Sequence, residues 1–263
     1  RDNSPELFHT SDSGKTWTKV LDGHSHYASL FKNFVITGMS FANASTGWFT
    51  GTPDTTNQPY THPGKLYVTH DSGKTWQEQT LPPLQGHVLA TIWTPQFFTS
   101  QDGVLPVLFN DTMGVDIFVT HDGGITWKST RFVPLPPPHS DIQYIVVQSR
   151  DEPPQFTDME HGWVVGGDNT GKVGAGVFYI TSDGGQHWTE IIPDKNSRPA
   201  ILDVMPGGPD FTSAQNGWIL ANTKTSENGG QGSTVLYETN DGGRTWIQVH
   251  AMFPGYIVPK SAF

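Results

Sequence analysis

Six acidic side chains fall in irregular stretches of the sequence: Asp54, Asp141, Asp151, Glu152, Asp168 and Asp203. Two such carboxyls held roughly 5–10 Å apart at a cleft mouth could hydrolyse a glycosidic bond, one as acid and the other as base or nucleophile. No spacing singles out a pair, because the partners would arrive from different parts of the chain. Turn formation and solvation are the plainer roles open to each. Binding without catalysis needs less. Tyr60, Trp93, Tyr144 and Arg150 are the candidate ligand contacts, since aromatic rings can stack a sugar or grip a peptide beside nearby polar groups. Trp93 has the alternative of packing inside a sheet.

Metal chemistry has less support. The chain has 11 histidines, and His24 with His26, or His139 with Asp141, could share one side of an extended stretch. Structural zinc sites take four ligands and catalytic ones three. No third ligand is indicated, so neither a metal nor a cofactor is expected. The absence of cysteine rules out disulfides, thiol nucleophiles and thiolate metal sites. A formal charge of −10, with no run among the 15 basic residues, argues against nucleic acid or an anionic membrane as partner. No apolar run reaches membrane-spanning length.

The elements that must position these residues are announced by repetition. The octet "THDSGKTW" at Thr69–Trp76 has close copies ending at Trp17, Trp127, Trp188 and Trp246. A second motif keeps step: "FANASTGW" (Phe41–Trp48), "FTDMEHGW" (Phe156–Trp163) and "FTSAQNGW" (Phe211–Trp218). "FTSQDGV" at Phe98–Val104 reads as a fourth copy, shortened by one residue and lacking the Trp. Each unit therefore divides into four strands. The first ends near the Phe and the second begins at Gly-Trp. The third leads into the octet, and the fourth starts at the octet Trp. Abundant Gly and Pro, 29 and 20 residues, supply turns between short strands.

Within the octet the Asp can accept turn N–H groups, a Gly can take positive φ, and the Trp can bury a ring as the next strand begins. Asp12, Asp71, Asp122, Asp183 and Asp241, with Trp17, Trp76, Trp127, Trp188 and Trp246, are accordingly structural residues. Five equivalent aspartates could not all serve one catalytic centre. Four-stranded units that cannot bury their own faces imply an all-β propeller spanning residues 1–263 as one domain, a ring of five to seven blades.

These motifs resemble the Asp box, or BNR repeat, of sialidase-like propellers. The pairing with "F…GW" is most like the photosystem II assembly-factor type of repeat and exported bacterial proteins built from it. The resemblance implies Asp-box turns between strands three and four, and an extracellular or cell-surface setting. It does not imply sialidase activity. Sialidases gather three arginines, with an Arg-Ile-Pro motif. Here only Arg1, Arg131, Arg150, Arg198 and Arg244 exist, Arg244 sits inside an octet, and no Arg-Ile-Pro occurs.

Antiparallel alternation puts the octet turns and the short "F…GW" links on one face of the array. The long segments, such as Thr52–Gly64, Val133–Ile142, Pro193–Pro199 and Thr223–Ser233, are expected on the other. Loop variation on a regular scaffold is where function resides. The expected function is a non-catalytic binding or assembly scaffold with a protein or carbohydrate on the long-loop face. The alternatives are a hydrolase of neutral polysaccharide using two loop acids, and a structural module of a larger protein. At the ends, Leu7–Val20 supply only third and fourth strands, while "GYIVPKSAF" matches the stretch before Phe156 and Phe211. The C-terminal stretch is thus expected to give the N-terminal half-blade its first strand. The Gly-Trp strand of that blade has no counterpart, so the ring closes on an incomplete blade or the chain is a piece of a larger ring.

Overall fold

The computed structural model describes residues 6–21, 34–53, 64–83, 89–109, 115–130, 145–146, 153–168, 177–191, 197–198, 201–204, 208–224 and 231–249. Every regular element among them is a strand, and the strands fall into five sheets. The first sheet pairs β1 (Leu7–His9) with β2 (Thr18–Leu21). The second runs β3 (Phe34–Phe41), β4 (Gly47–Pro53), β5 (Lys65–Thr69) and β6 (Gln77–Gln79), antiparallel throughout. The third has β9 (Gly103–Phe109), β10 (Val115–Thr120) and β11 (Lys128–Ser129) behind a first position split into β7 (Leu89–Ile92) and β8 (Gln96–Phe97). The fourth repeats this with β12 (Ile145–Val146), β13 (Gln155–Phe156), β14 (Gly162–Asp168), β15 (Val177–Thr181) and β16 (Thr189–Ile191). The fifth contains β18 (Ile201–Val204), β19 (Asp210–Phe211), β20 (Gly217–Lys224), β21 (Gln231–Thr239) and β22 (Trp246–Gln248). Here β17 (Ser197–Arg198) adds to β22 in parallel.

The four-strand reading of the motifs fits, with three corrections. Phe97, not Phe98, occupies the Phe position. Its ring lies against Gly103 as Phe156 lies against Gly162, so the third link has the same length as the others. Part of the expected loop Pro193–Pro199 is strand β17. Part of Thr223–Ser233 is likewise strand, because β20 and β21 extend through Lys224 and from Gln231.

Alternation along each strand sends one set of side chains forward and the other back, and in β9 and β10 of the third sheet both are buried against neighbouring sheets. Trp48 and Val68 of the second sheet share a buried cluster with Leu105, Phe118 and Trp127 of the third. Val104 and Ile117 of the third join Val164, Tyr179 and Trp188 of the fourth. Trp163 of the fourth joins Ile219, Tyr237 and Trp246 of the fifth. Full burial of a side chain this large contributes about 1.5–3 kcal/mol, so these face-to-face contacts dominate the stability. Polar clamps reinforce them. Gln79 accepts from Trp48 Nε1 at 3.0 Å and donates to the Gly124 carbonyl of the next sheet at 2.7 Å. Gln96 donates to the Pro154 carbonyl at 2.7 Å and accepts the Phe156 N–H at 2.9 Å.

Candidate functional site

The octet turns define one side of the sheets, and four of the five are built alike. In the second sheet the Thr69 hydroxyl donates to Asp71 Oδ1 at 2.9 Å, and the same oxygen accepts the Thr75 N–H at 2.8 Å. The Thr75 hydroxyl donates to Oδ2 at 2.7 Å. Asp12, Asp122 and Asp241 bind their own threonines in the same pattern. The two residues after the Asp both have positive φ, as at Gly123 (74°) and Gly124 (82°), which favours glycine there. Turn and link are tied together, for the Gly184 and Gly242 N–H groups donate to the Glu160 and Gln215 carbonyls at 2.9 Å.

These bonds stabilise the charged carboxylates. The Thr16 hydroxyl, then its N–H, holds Asp12 down to about 2. The Thr126 hydroxyl leads the lowering at Asp122. At Asp71, Asp183 and Asp241 partial burial pushes upward, and hydrogen bonds from Thr75, His187 and Thr245 outweigh it.

The fourth sheet departs from the pattern twice. His187 stands where the other octets have Thr, and its Nδ1 lies 2.6 Å from Asp183 Oδ2. His161 precedes the Gly of the link, with Nδ1 3.0 Å from both oxygens of Asp158. Asp158 also takes the Glu160 and His161 N–H groups at 2.8 Å. The carboxylate beside each Nδ1 fixes the orientation of its ring. Both imidazoles line a cavity of about 260 Å³ between the fourth and fifth sheets, together with Ser213, Gln215 and Arg244. Arg244 anchors one nitrogen on the Asp241 carbonyl at 2.7 Å. Trp163 and Phe211, 4.7 Å apart, also line it. The cleft therefore offers several hydrogen-bonding groups beside a buried aromatic pair, suited to a polar ligand. Among the described residues no group of three His, Cys, Asp or Glu could hold a metal ion.

The family model described as the DUF6242 beta propeller domain matches residues 53–263. The chain belongs to that family. The family description gives the fold as a β-propeller, and the chain is similar to several solved structures at low identity. The GH74 xyloglucanase from Xanthomonas campestris is 13% identical, with a TM-score of 0.53 over 93% of this chain and 36% of that one. The chain thus spans about a third of the enzyme's length. A putative exo-beta-1,3-galactanase from Bifidobacterium bifidum s17 is 13% identical, with a TM-score of 0.48 over 94% and 82% of the two chains. YCF48 bound to D1 peptide is 16% identical, with a TM-score of 0.34 over 82% of each chain. No curated protein matches the sequence. At 13% identity the likeness to the xyloglucanase speaks to fold alone.

Of the residues expected to do chemistry, Asp54, Tyr60, Asp141, Tyr144, Arg150, Asp151 and Glu152 lie outside the described residues. Asp168 closes β14 opposite Ile145, and Asp203 sits in β18 opposite Asn222, on separate sheets. Trp93 corrects the binding reading. It is only 5% exposed and packs with Leu108, Val115 and Tyr179, so its ring is core and presents no platform to a ligand. Trp17 is corrected the other way: expected to be buried like the other octet indoles, it is 61% exposed. His161, His187 and Arg244 escape a reading of the sequence for isolated acids and aromatics. A signal is present, since aligning the octets shows His187 as the one departure from Thr at its position.

Proposed function

We propose that the chain is a non-catalytic binding or assembly scaffold of the Asp-box propeller type, most like the BNR-repeat proteins that bacteria export. It holds a protein or carbohydrate partner on the face of its long loops. One observation carries this reading: the carboxylate of every octet accepts hydrogen bonds from its own turn, so the most repeated motif is spent on architecture. Recognition then falls to segments that differ between repeats. The cleft of His161, His187 and Arg244 adds a second contact surface on the turn side. An extracellular or cell-surface location belongs to the same reading, through the resemblance to exported repeat proteins.

The test pairs binding with turnover. The immobilised chain is offered arrays of peptides and neutral polysaccharide fragments, and the same polysaccharides are incubated with it and analysed for released sugar. Saturable binding without release supports the scaffold. Released oligosaccharide that vanishes when two of Asp54, Asp141, Asp151, Glu152, Asp168 and Asp203 are amidated overturns it in favour of a hydrolase.

A further inference from the structure

The cleft between the fourth and fifth sheets is framed by three polar groups from three separate segments. His161 comes from the link of the fourth sheet, His187 from its octet, and Arg244 from the octet of the fifth. Each is positioned by its own segment before any ligand arrives. His187 Nδ1 sits 2.6 Å from Asp183 and His161 Nδ1 3.0 Å from Asp158, so Nε2 is the nitrogen left to each ring. Arg244 commits Nη1 to the Asp241 carbonyl at 2.7 Å, and no other described residue engages its five-donor fork.

The acids around the cleft are spent. Asp183 and Asp241 accept from their own octets, and Asp158 accepts two link N–H groups besides facing His161. Hydroxyls of Thr157, Thr189 and Ser213 belong to the remaining lining. Ser213 Oγ accepts the Gln215 and Asn216 N–H groups at 3.3 and 3.0 Å, which leaves its O–H to give. Trp163 and Phe211 are only 7% and 8% exposed, so they offer a peptide little of the apolar anchoring that dominates protein interfaces.

We infer that the cleft binds a sugar acid, a uronic acid unit of an acidic polysaccharide. The carboxylate pairs with the remaining donors of Arg244, whose planar fork matches it in geometry. The ring hydroxyls meet the two imidazoles and Ser213. A hydroxyl both donates and accepts, so it suits Nε2 in either protonation state, whereas a bare anion needs a proton there. The size agrees: drug-sized ligands occupy pockets from about 300 Å³ upward, and a cleft of about 260 Å³ suits a single sugar ring. The assignment rests on the binding-scaffold reading and gives its turn-side surface a ligand.

The full chain is titrated by calorimetry with trigalacturonate, with the matching neutral galactose trimer and with hexaglutamate. A formal charge of −10 disfavours unspecific capture of a polyanion, so binding reports the cleft. Two variants borrow side chains from the chain's other octets and so keep the turns. Arg244→Gln copies Gln186, which donates to the Asp183 carbonyl at 3.0 Å, and His187→Thr restores the residue of the other four octets. The expected result is saturable binding of trigalacturonate, about tenfold or more tighter than of either control. Arg244→Gln should weaken it about tenfold or more and His187→Thr several-fold, with thermal midpoints close to the parent's. Equal affinity for the neutral trimer or for hexaglutamate, binding that both variants leave unchanged, or no saturable binding overturns the assignment. The scaffold reading outlives those outcomes where peptides or neutral polysaccharides still bind saturably. Cleavage of the trimer instead overturns the scaffold reading on which the assignment rests.

Discussion

The octet aspartates show how much a single side chain can hold. Asp71 ties together a hydroxyl two residues before it and both the hydroxyl and N–H of a residue four after it. Replacing it with Ala leaves several donors without their acceptor, and loss of such a charge-assisted network costs about 1–3 kcal/mol. Urea unfolding of Asp71→Ala should show that drop, and Thr75→Ala a smaller one. The pH dependence follows from the same bonds. Asp12 titrates at about 2 when folded, against 3.8 for an unperturbed carboxyl, and the other four octet aspartates are also lowered. A lowered folded value means the unfolded chain takes up protons first. The stabilisation is therefore complete above about pH 4 and is lost as the pH falls towards about 2. Unfolding midpoints measured from about pH 5 downward should fall through that window, less steeply in an Asp12→Asn, Asp122→Asn double variant. These roles are legible in the sequence because the bonds are local, within four residues. The burial of Trp93 is not, since nothing in a lone Trp tells which side of a sheet its neighbours will cover.

At the scale of the strand pair, the link between first and second strands depends on close approach. A Cβ on Gly162 would lie 2.6 Å from the Phe156 ring and 2.8 Å from the Gln155 carbonyl. Neither can yield cheaply, for Phe156 is fixed by Trp188 and the carbonyl belongs to the paired strand. Gly162→Ala should therefore destabilise the chain by about 1–3 kcal/mol through overpacking, although its backbone stays in an ordinary strand conformation. Thermal unfolding of this variant beside Thr157→Ala checks it, the latter costing little. Phe and Gly repeated at one spacing betray these hairpins before any coordinates are seen. The third copy misleads by one residue because two phenylalanines, Phe97 and Phe98, stand side by side. The parallel seat of β17 on β22 leaves no such trace. It rests on two residues, Ser197 and Arg198, whose pairing partner is far along the chain, and neither propensity nor period encodes a distant edge.

For the whole molecule, stability is a sum of sheets and of the contacts between neighbours. Trp17 and Trp76 measure this directly, because their turns are alike while their neighbours differ. Trp17 Nε1 donates to the Gly14 carbonyl at 3.1 Å and Trp76 Nε1 to Gly73 at 3.0 Å, so the two turns are equivalent. Yet Trp76 is buried against Phe49 and Phe41, while Trp17 is exposed because no described sheet stands before β1–β2. Burial here is a property of the array and could not be read from an octet alone. Trp127→Ala should accordingly cost about 3–5 kcal/mol, the usual range for emptying a packed aromatic site. Trp17→Ala should stay within about 0.5 kcal/mol, as surface substitutions do. Amide exchange should grade the same way, fastest at β1 and β2 and slowest at β9 and β10, whose strands are buried along nearly their full length. If Trp17→Ala instead costs as much as Trp127→Ala, a neighbouring sheet covers Trp17 in solution.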